Sequence, residues 1–125
     1  MTKTPDISVI MSVYNGEDYL AEAIESVCGQ TFENWELIII NDCSKDSTPA
    51  ILEQFANRDS RIKVHTNEEN LRLPRSLNKA LSLARGKYVA RMDADDICIN
   101  TRLQTQYDFM ESHPEFRFHH AVFLL

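Results

Sequence analysis

The sequence predicts an α/β fold, a mostly parallel sheet with helices on both faces. Short apolar runs rich in β-branched residues alternate with helical apolar stripes along the chain, and polar, acidic segments fall where those runs end. At 125 residues the chain holds one domain at most, long enough for a real hydrophobic core.

"ISVIMSV" (Ile7 to Val13) is nearly continuously apolar, as expected of a strand buried on both faces. After "YNGED" a helical pattern puts Leu20, Ile24, Val27 and Cys28 on one face. "WELIII" (Trp35 to Ile40) is the second strand, followed by the polar loop "NDCSKDST". Ser47 or Thr48 before Pro49 is a helix start, and Ile51, Leu52, Phe55 and Ala56 make that helix's stripe. "IKVHT" (Ile62 to Thr66) is a shorter third strand. A third helix is expected from about Pro74, with Leu77, Ala80, Leu81 and Ala84 in phase and Gly86 as its C-terminal stop. "KYVARM" is the fourth strand, and a fourth helix runs from about Thr101, with Leu103, Tyr107 and Met110 inward, to just before Pro114. The closing "FRFHHAVFLL" is apolar and suits a fifth strand. Its adjacent His119 and His120 would then point to opposite faces and share no ion.

Composition narrows the function classes. A net charge of -6 argues against a general nucleic-acid binder, which would carry a basic patch. No apolar run approaches the roughly 20 residues that span a bilayer, and no secretory leader pattern opens the chain, so a cytosolic location is expected. Cys28, Cys43 and Cys98 are odd in number and far apart, which reads as three reduced thiols with Cys28 in the core. The three glycines, Gly16, Gly29 and Gly86, form neither a P-loop nor G-x-G-x-x-G. Phosphate binding must therefore rest on a metal or on basic side chains. An EF-hand from Asp93 fails at Cys98 and Gln104, where that loop needs Gly and Glu.

The chemistry gathers at the strand ends, where open parallel sheets bind ligands. "YNGED", "NDCSKD" and "DADD" follow the first, second and fourth strands. If strand geometry persists past the fourth strand, Asp93 and Asp95 share one side and can reach a hard divalent ion. Such an ion takes one or two carboxylates and completes its shell with water and phosphate oxygens. Arg91, two residues before Asp93, can instead neutralise the cluster. Asp42 is an acceptor suited to a nucleobase N–H or a ribose hydroxyl, or equally to capping a neighbouring turn. Tyr14 offers a ring for stacking or for packing.

The run from "ISVIMSVYNGEDYL" through "IIINDCSKDST" to "NKALSLARGKYVARMDADD" and "RL", about residues 5 to 116, resembles the family 2 glycosyltransferases of the Rossmann-like GT-A fold. The resemblance implies a nucleotide-diphospho sugar donor, a UDP-sugar favoured, a divalent Mg²⁺ or Mn²⁺, and inverting transfer to a saccharide or lipid-linked acceptor. It further implies bacterial surface polysaccharide synthesis at the cytoplasmic face of the membrane. By it, Ser12, Val13 and Tyr14 line the nucleobase pocket with Glu17 nearby, and Asp42 is the base-binding aspartate. Asp93, Ala94 and Asp95 are the D-x-D segment: Asp93 faces the ribose and diphosphate and can join Asp95 on the metal, with Asp96 an orienting neighbour. Asn78 and Lys79 stand where the third helix nears the donor.

Three positions depart from the family pattern. Cys43 and Arg72 stand where glycine is usual, and Asn100 where a proline precedes the "RL" pair. If position 43 needs a positive φ, its side chain costs about 1 kcal/mol. The resemblance places the general base well downstream of the D-x-D pair, beyond Leu125, so residues 1–116 read as the donor-binding part and 117–125 as an atypical tail. Two other classes share parts of the pattern. One is a catalytically incomplete binding or assembly module, a homodimer through Phe116 to Leu125; the other is a receiver-like signalling domain with an acidic cation pocket.

Overall fold

The computed structural model describes residues 4–116 and 121–123, and of residues 116 and 121–123 the backbone alone. The elements run β1 (Ile7–Val13), α1 (Leu20–Cys28), β2 (Trp35–Asn41), α2 (Thr48–Arg58) and β3 (Ile62–Thr66). They continue with α3 (Arg72–Leu83), β4 (Tyr88–Arg91), α4 (Arg102–Ser112), a 3-10 turn at Pro114–Phe116 and β5 (Ala121–Phe123). His119 and His120 lie outside the described residues.

All pairings among the described strands are parallel, and the sheet order is β3-β2-β1-β4-β5. The chain winds from β1 outward through β2 to β3, then returns to place β4 on the other side of β1. That reversal makes the β1–β4 boundary the topological switch point, where the loops leaving the two strands part and a crevice opens.

Every residue of β2 is buried, which explains its unbroken apolar run. One core lies between the sheet and α1, α2 and α4, built on Val9, Met11, Leu37 and Ile39 against Leu20, Ile24, Leu52, Phe55, Leu103 and Met110. Among the described residues the other face carries α3 alone, with Ala80 and the flanking Leu77 and Leu81 on Ile10, Ile38, Ile40 and Val89. Helices thus cover both faces. Cys28 is half-buried against the first core rather than inside it.

Two local expectations are corrected. Helix α3 begins at Arg72, two residues before Pro74, because Asp42, the residue that follows β2, holds the backbone N–H groups at its start. Gly86 does not stop the helix in a left-handed cap. The helix closes with the Ala84 N–H on Leu81, and among the described residues no glycine has a positive φ. Gly86 is required by close approach: its N–H donates to Ser8 Oγ at 2.8 Å, and a Cβ there would lie 2.6 Å from the Ser8 backbone nitrogen.

Candidate functional site

The carboxyl ends of β1 and β4 enclose an open cleft of about 200 Å³ at the switch point. It is lined by Ser12, Val13, Tyr14, Tyr19, Leu73, Asp93, Ala94 and Asp95. Six of these are expected site residues, drawn together from two segments nearly eighty positions apart in sequence. Tyr14 is 48% exposed, so its ring is available to a ligand rather than consumed in the core. Val13 and Ala94 are buried and form the floor.

The acidic cluster is real, but strand alternation does not produce it. Strand β4 ends at Arg91, and residues 94–95 form a turn closed by the Asp96 N–H donating to the Asp93 carbonyl at 3.0 Å. The turn gathers all three carboxylates: Asp93, Asp95 and Asp96 each offer an oxygen, and these lie within 4.8 Å of one another. All three residues are exposed. The oxygen-only set with open solvent access fits a hard divalent cation that keeps part of its shell for water and phosphate oxygens. Arg91 Nη2 reaches Asp93 Oδ1 at 3.2 Å, so the pairing of Arg91 with the cluster is also present. Asp93 is half-exposed, and a solvated pair of this kind is worth little.

Asp42 is placed differently from the other site residues. It is buried and does not line the cleft. Its Oδ1 accepts from Asn67 Nδ2 at 2.9 Å and the Leu71 N–H at 2.7 Å, and its Oδ2 from the Arg72 N–H at 2.9 Å. Burial pushes this carboxyl up. The hydrogen bonds from Asn67, Leu71, Arg72 and Ser76 outweigh it and hold Asp42 below the usual carboxylate range. A negative side chain on the first N–H groups of α3 satisfies orphan donors and the helix dipole together. The turn-capping alternative for Asp42 is therefore present.

Glu17 also works within the chain. Its Oε2 accepts the Ser47 N–H at 3.0 Å, while its own N–H donates to Asp46 Oδ2 at 3.1 Å. With Asn15 on Ser44 and Lys45, and Gly16 on Thr48 Oγ1, these bonds zip the β1–α1 loop to the β2–α2 loop. The zip holds Tyr14 at the cleft. Lys79 points to Asn67, with Nζ donating to Asn67 Oδ1 at 2.8 Å, and Asn78 is exposed.

Sequence reasoning missed Tyr19, Leu73, Asn67 and Ser76. Leu73 is in helical phase with Leu77 and Leu81, which marks it as core, yet it is 45% exposed because the helix start overhangs the strand ends. Asn67 and Ser76 carried a weak signal only, a polar residue closing β3 and a serine inside an apolar stripe.

A parallel sheet with an aromatic and acidic crevice at its switch point defines the class of α/β domains that take a charged ligand at their strand ends. The chain belongs to glycosyl transferase family 2, whose family model matches residues 8–116. It is 47% identical over 118 residues to the putative glycosyltransferase EpsE of Bacillus subtilis, covering 94% of this chain and 42% of that protein. It is 43% identical over 106 residues to the putative teichuronic acid biosynthesis glycosyltransferase TuaG of the same organism, covering 85% and 42%. The chain thus spans less than half the length of these curated relatives. Among solved structures, S. aureus TarS 1-349 in complex with UDP superimposes with a TM-score of 0.81 at 33% identity, over 87% of this chain and 33% of that one. The mannosyltransferase PcManGT from Pyrobaculum calidifontis, in complex with GDP-Man and Mn²⁺, gives 0.69 at 25% identity, over 77% and 29%. These matches identify the fold as that of GT-A glycosyltransferases.

Proposed function

We propose that this chain forms the donor-binding part of a metal-dependent, inverting family 2 glycosyltransferase. Its donor is a nucleotide-diphospho sugar, with UDP as the nucleotide. The observation that carries this reading is the adjacency of three clustered carboxylates to an exposed tyrosine ring in one crevice. A nucleotide sugar needs both features, a flat apolar surface for its base and a way to offset its diphosphate charge.

In this reading Tyr14 carries the base, and Ser12, Val13 and Ala94 shape the floor beneath it. Asp93 and Asp95 hold the divalent ion, Mg²⁺ or Mn²⁺, and Asp96 orients the turn. When bound, that ion offsets negative charge on the departing diphosphate. The UDP complex of TarS supports the nucleotide, and the Mn²⁺ complex of PcManGT supports the metal. The relative named for teichuronic acid biosynthesis supports a role in bacterial surface polysaccharide synthesis. Nucleotide sugars are cytoplasmic, so the site works at the inner side of the membrane. The acceptor, a saccharide or a lipid-linked sugar, and the general base that deprotonates it belong to sequence outside residues 8–116.

Calorimetric titration with UDP, GDP and dTDP, each with and without Mn²⁺, tests the reading. UDP is expected to bind only with the metal. Asp95→Ala is expected to cost at least about tenfold in affinity, ~1.4 kcal/mol, with the fold intact. Undiminished Mn²⁺-dependent binding by a folded Asp95→Ala variant would remove Asp95 from the site, and no binding of any nucleotide by the unsubstituted protein would remove the site.

A further inference from the structure

We propose that the outer edge of β3 is a docking site for an extended acidic segment of a partner protein, which joins the sheet as a further strand. The site uses none of the residues of the donor cleft, so neither reading depends on the other.

β3 ends the sheet on its side, and among the described residues nothing pairs with its outer edge. The register with β2 decides which backbone groups are free. The Leu37 N–H donates to the Arg61 carbonyl and the Asn67 N–H to the Asn41 carbonyl. With Leu37 level with Ile62, Lys63 and His65 therefore turn their backbone groups inward to β2. Ile62, Val64 and Thr66 turn theirs outward. The Ile62 N–H is taken by the Asp59 carbonyl at 3.1 Å. The Ile62 carbonyl, both groups of Val64 and the Thr66 N–H remain, a row of donors and acceptors that an added strand can pair with.

The side chains along this edge set the chemistry of the partner. Ile62 and Val64 pack into the core under α1, α2 and α4, and Lys63 and His65 alternate onto the α3 face. Helix α3 packs on β1, β2 and β4, which leaves an open groove of about 530 Å³ beside β3. Ile38, Lys63, His65, Leu83 and Arg85 line it, with the buried Glu36. Lys63 and Arg85 share the one carboxylate of Glu36, so cations exceed anions here although the chain's net charge is -6. Arg85 meets Glu36 through Nε and its side chain is 50% exposed, so its two Nη groups remain for a further carboxylate. A strand laid along β3 puts every second side chain on this face. Acidic residues at those positions meet Lys63, His65 and Arg85, and β-branched residues between them pack beside the half-buried Val64. A second copy of β3 suits the edge poorly. Paired antiparallel about Val64, it sets Lys63 of one copy beside His65 of the other and brings no carboxylate to the groove, and an edge lysine works against such self-pairing.

The experiment titrates the purified protein into a fluorescent peptide of alternating glutamate and valine with blocked ends, read by anisotropy. Saturable binding is expected, weakened about fivefold or more between roughly 0.05 and 0.3 M salt, with no binding of the lysine–valine counterpart. N-methylation of every second peptide amide, on the edge that would meet β3, is expected to cost about tenfold or more, because it removes the donors and leaves the charges. Val64→Pro removes an outward N–H that β2 does not use and is expected to cost about as much. His65→Glu is expected to weaken binding about three- to fivefold. The N-methylated peptide decides the question even if Val64→Pro fails to fold. Equal binding of the methylated and plain peptides would mean adsorption of any polyanion by charge alone, and that overturns the proposal. So does binding of the lysine peptide, or a dimer of the protein that Val64→Pro dissociates, since the edge would then belong to a second copy. No binding of the glutamate peptide overturns it outright and leaves the donor site untouched.

Discussion

Among the described residues, three other than glycine have positive φ: Asn15 at 52°, Cys43 at 64° and Arg72 at 72°. Asn tolerates this region, whereas Cys and Arg bear a steric cost of about 1 kcal/mol or more. Cys43 and Arg72 are the two positions where the family pattern favours glycine, so the departures noted in the sequence are also the strained points of the backbone. Cys43→Gly is expected to raise stability by somewhat under about 1 kcal/mol, because relief of strain exceeds the extra chain entropy of glycine. The Sγ contacts it loses, to Glu68 O at 3.6 Å and Lys45 Nζ at 3.5 Å, are exposed and weak. A higher denaturant midpoint at unchanged m would show it, and a lower midpoint would mean those contacts matter more than the strain. Gly86→Ala should go the other way by about 2–3 kcal/mol, since its Cβ would press on backbone atoms of Ile7 and Ser8 that cannot rotate away.

Between elements, one buried carboxylate does much of the joining. Glu36 on β2 is 2% exposed, and its Oε2 accepts from Ser8 Oγ of β1 at 2.5 Å and from the Arg85 N–H at 2.8 Å. Its Oε1 takes Lys63 Nζ of β3 at 3.1 Å, with Arg85 Nε at 3.5 Å. Ser8 passes the chain of bonds on to Gly86, so three strands and the α3–β4 turn meet on one side chain. Glu36→Ala strands a buried hydroxyl and an N–H and is expected to cost about 3 kcal/mol, the low end for a broken buried network because Lys63 and Arg85 can reach water. Glu36→Gln keeps the acceptor and loses the charge, and about 2 kcal/mol is expected. Equal midpoints for the two variants would show that charge, not hydrogen bonding, holds the junction. The apolar run "WELIII" marked this strand as buried, but periodicity could not say that its one acidic residue would be held by partners from three other segments.

For the whole molecule, these carboxylates set an acid limit. Burial pushes Glu36 up, and its bonds to Ser8, Arg85 and Lys63 bring it to a net value below its ordinary 4.5. Asp42 is likewise held below its ordinary 3.8, and so is Asp59 beside Arg61. A folded-state value below the unfolded one means the unfolded chain takes up protons first as pH falls. The stability these groups contribute is therefore fully present above about pH 5 and lost as pH drops through 4.5 and 3.8 towards their lower folded values. Melting temperature should be flat in these groups' contribution near neutrality and fall in acid, and Asp42→Asn should flatten that fall. An Asp42→Asn profile parallel to that of the unsubstituted protein would show that Asp42 does not titrate with unfolding.

The alternation of β-branched runs with helical stripes determined the α/β class, and nearly every strand and helix lies where those runs stand. Burial on both faces leaves a mark on each residue of a strand, so it is legible locally. The acidic segment "DADD" was legible too, because carboxylates crowded at a strand end need a reason. Strand order was not written in any one segment. It decided that the ends of β1 and β4, rather than of β1 and β2, would flank the crevice, and so brought Tyr14 to Asp95. It sent Asp42 inward to the start of α3 and swung Leu73, a core residue by its phase, out over the cleft. Each depends on which distant segment lies alongside, and periodicity carries only the direction of a side chain within its own element.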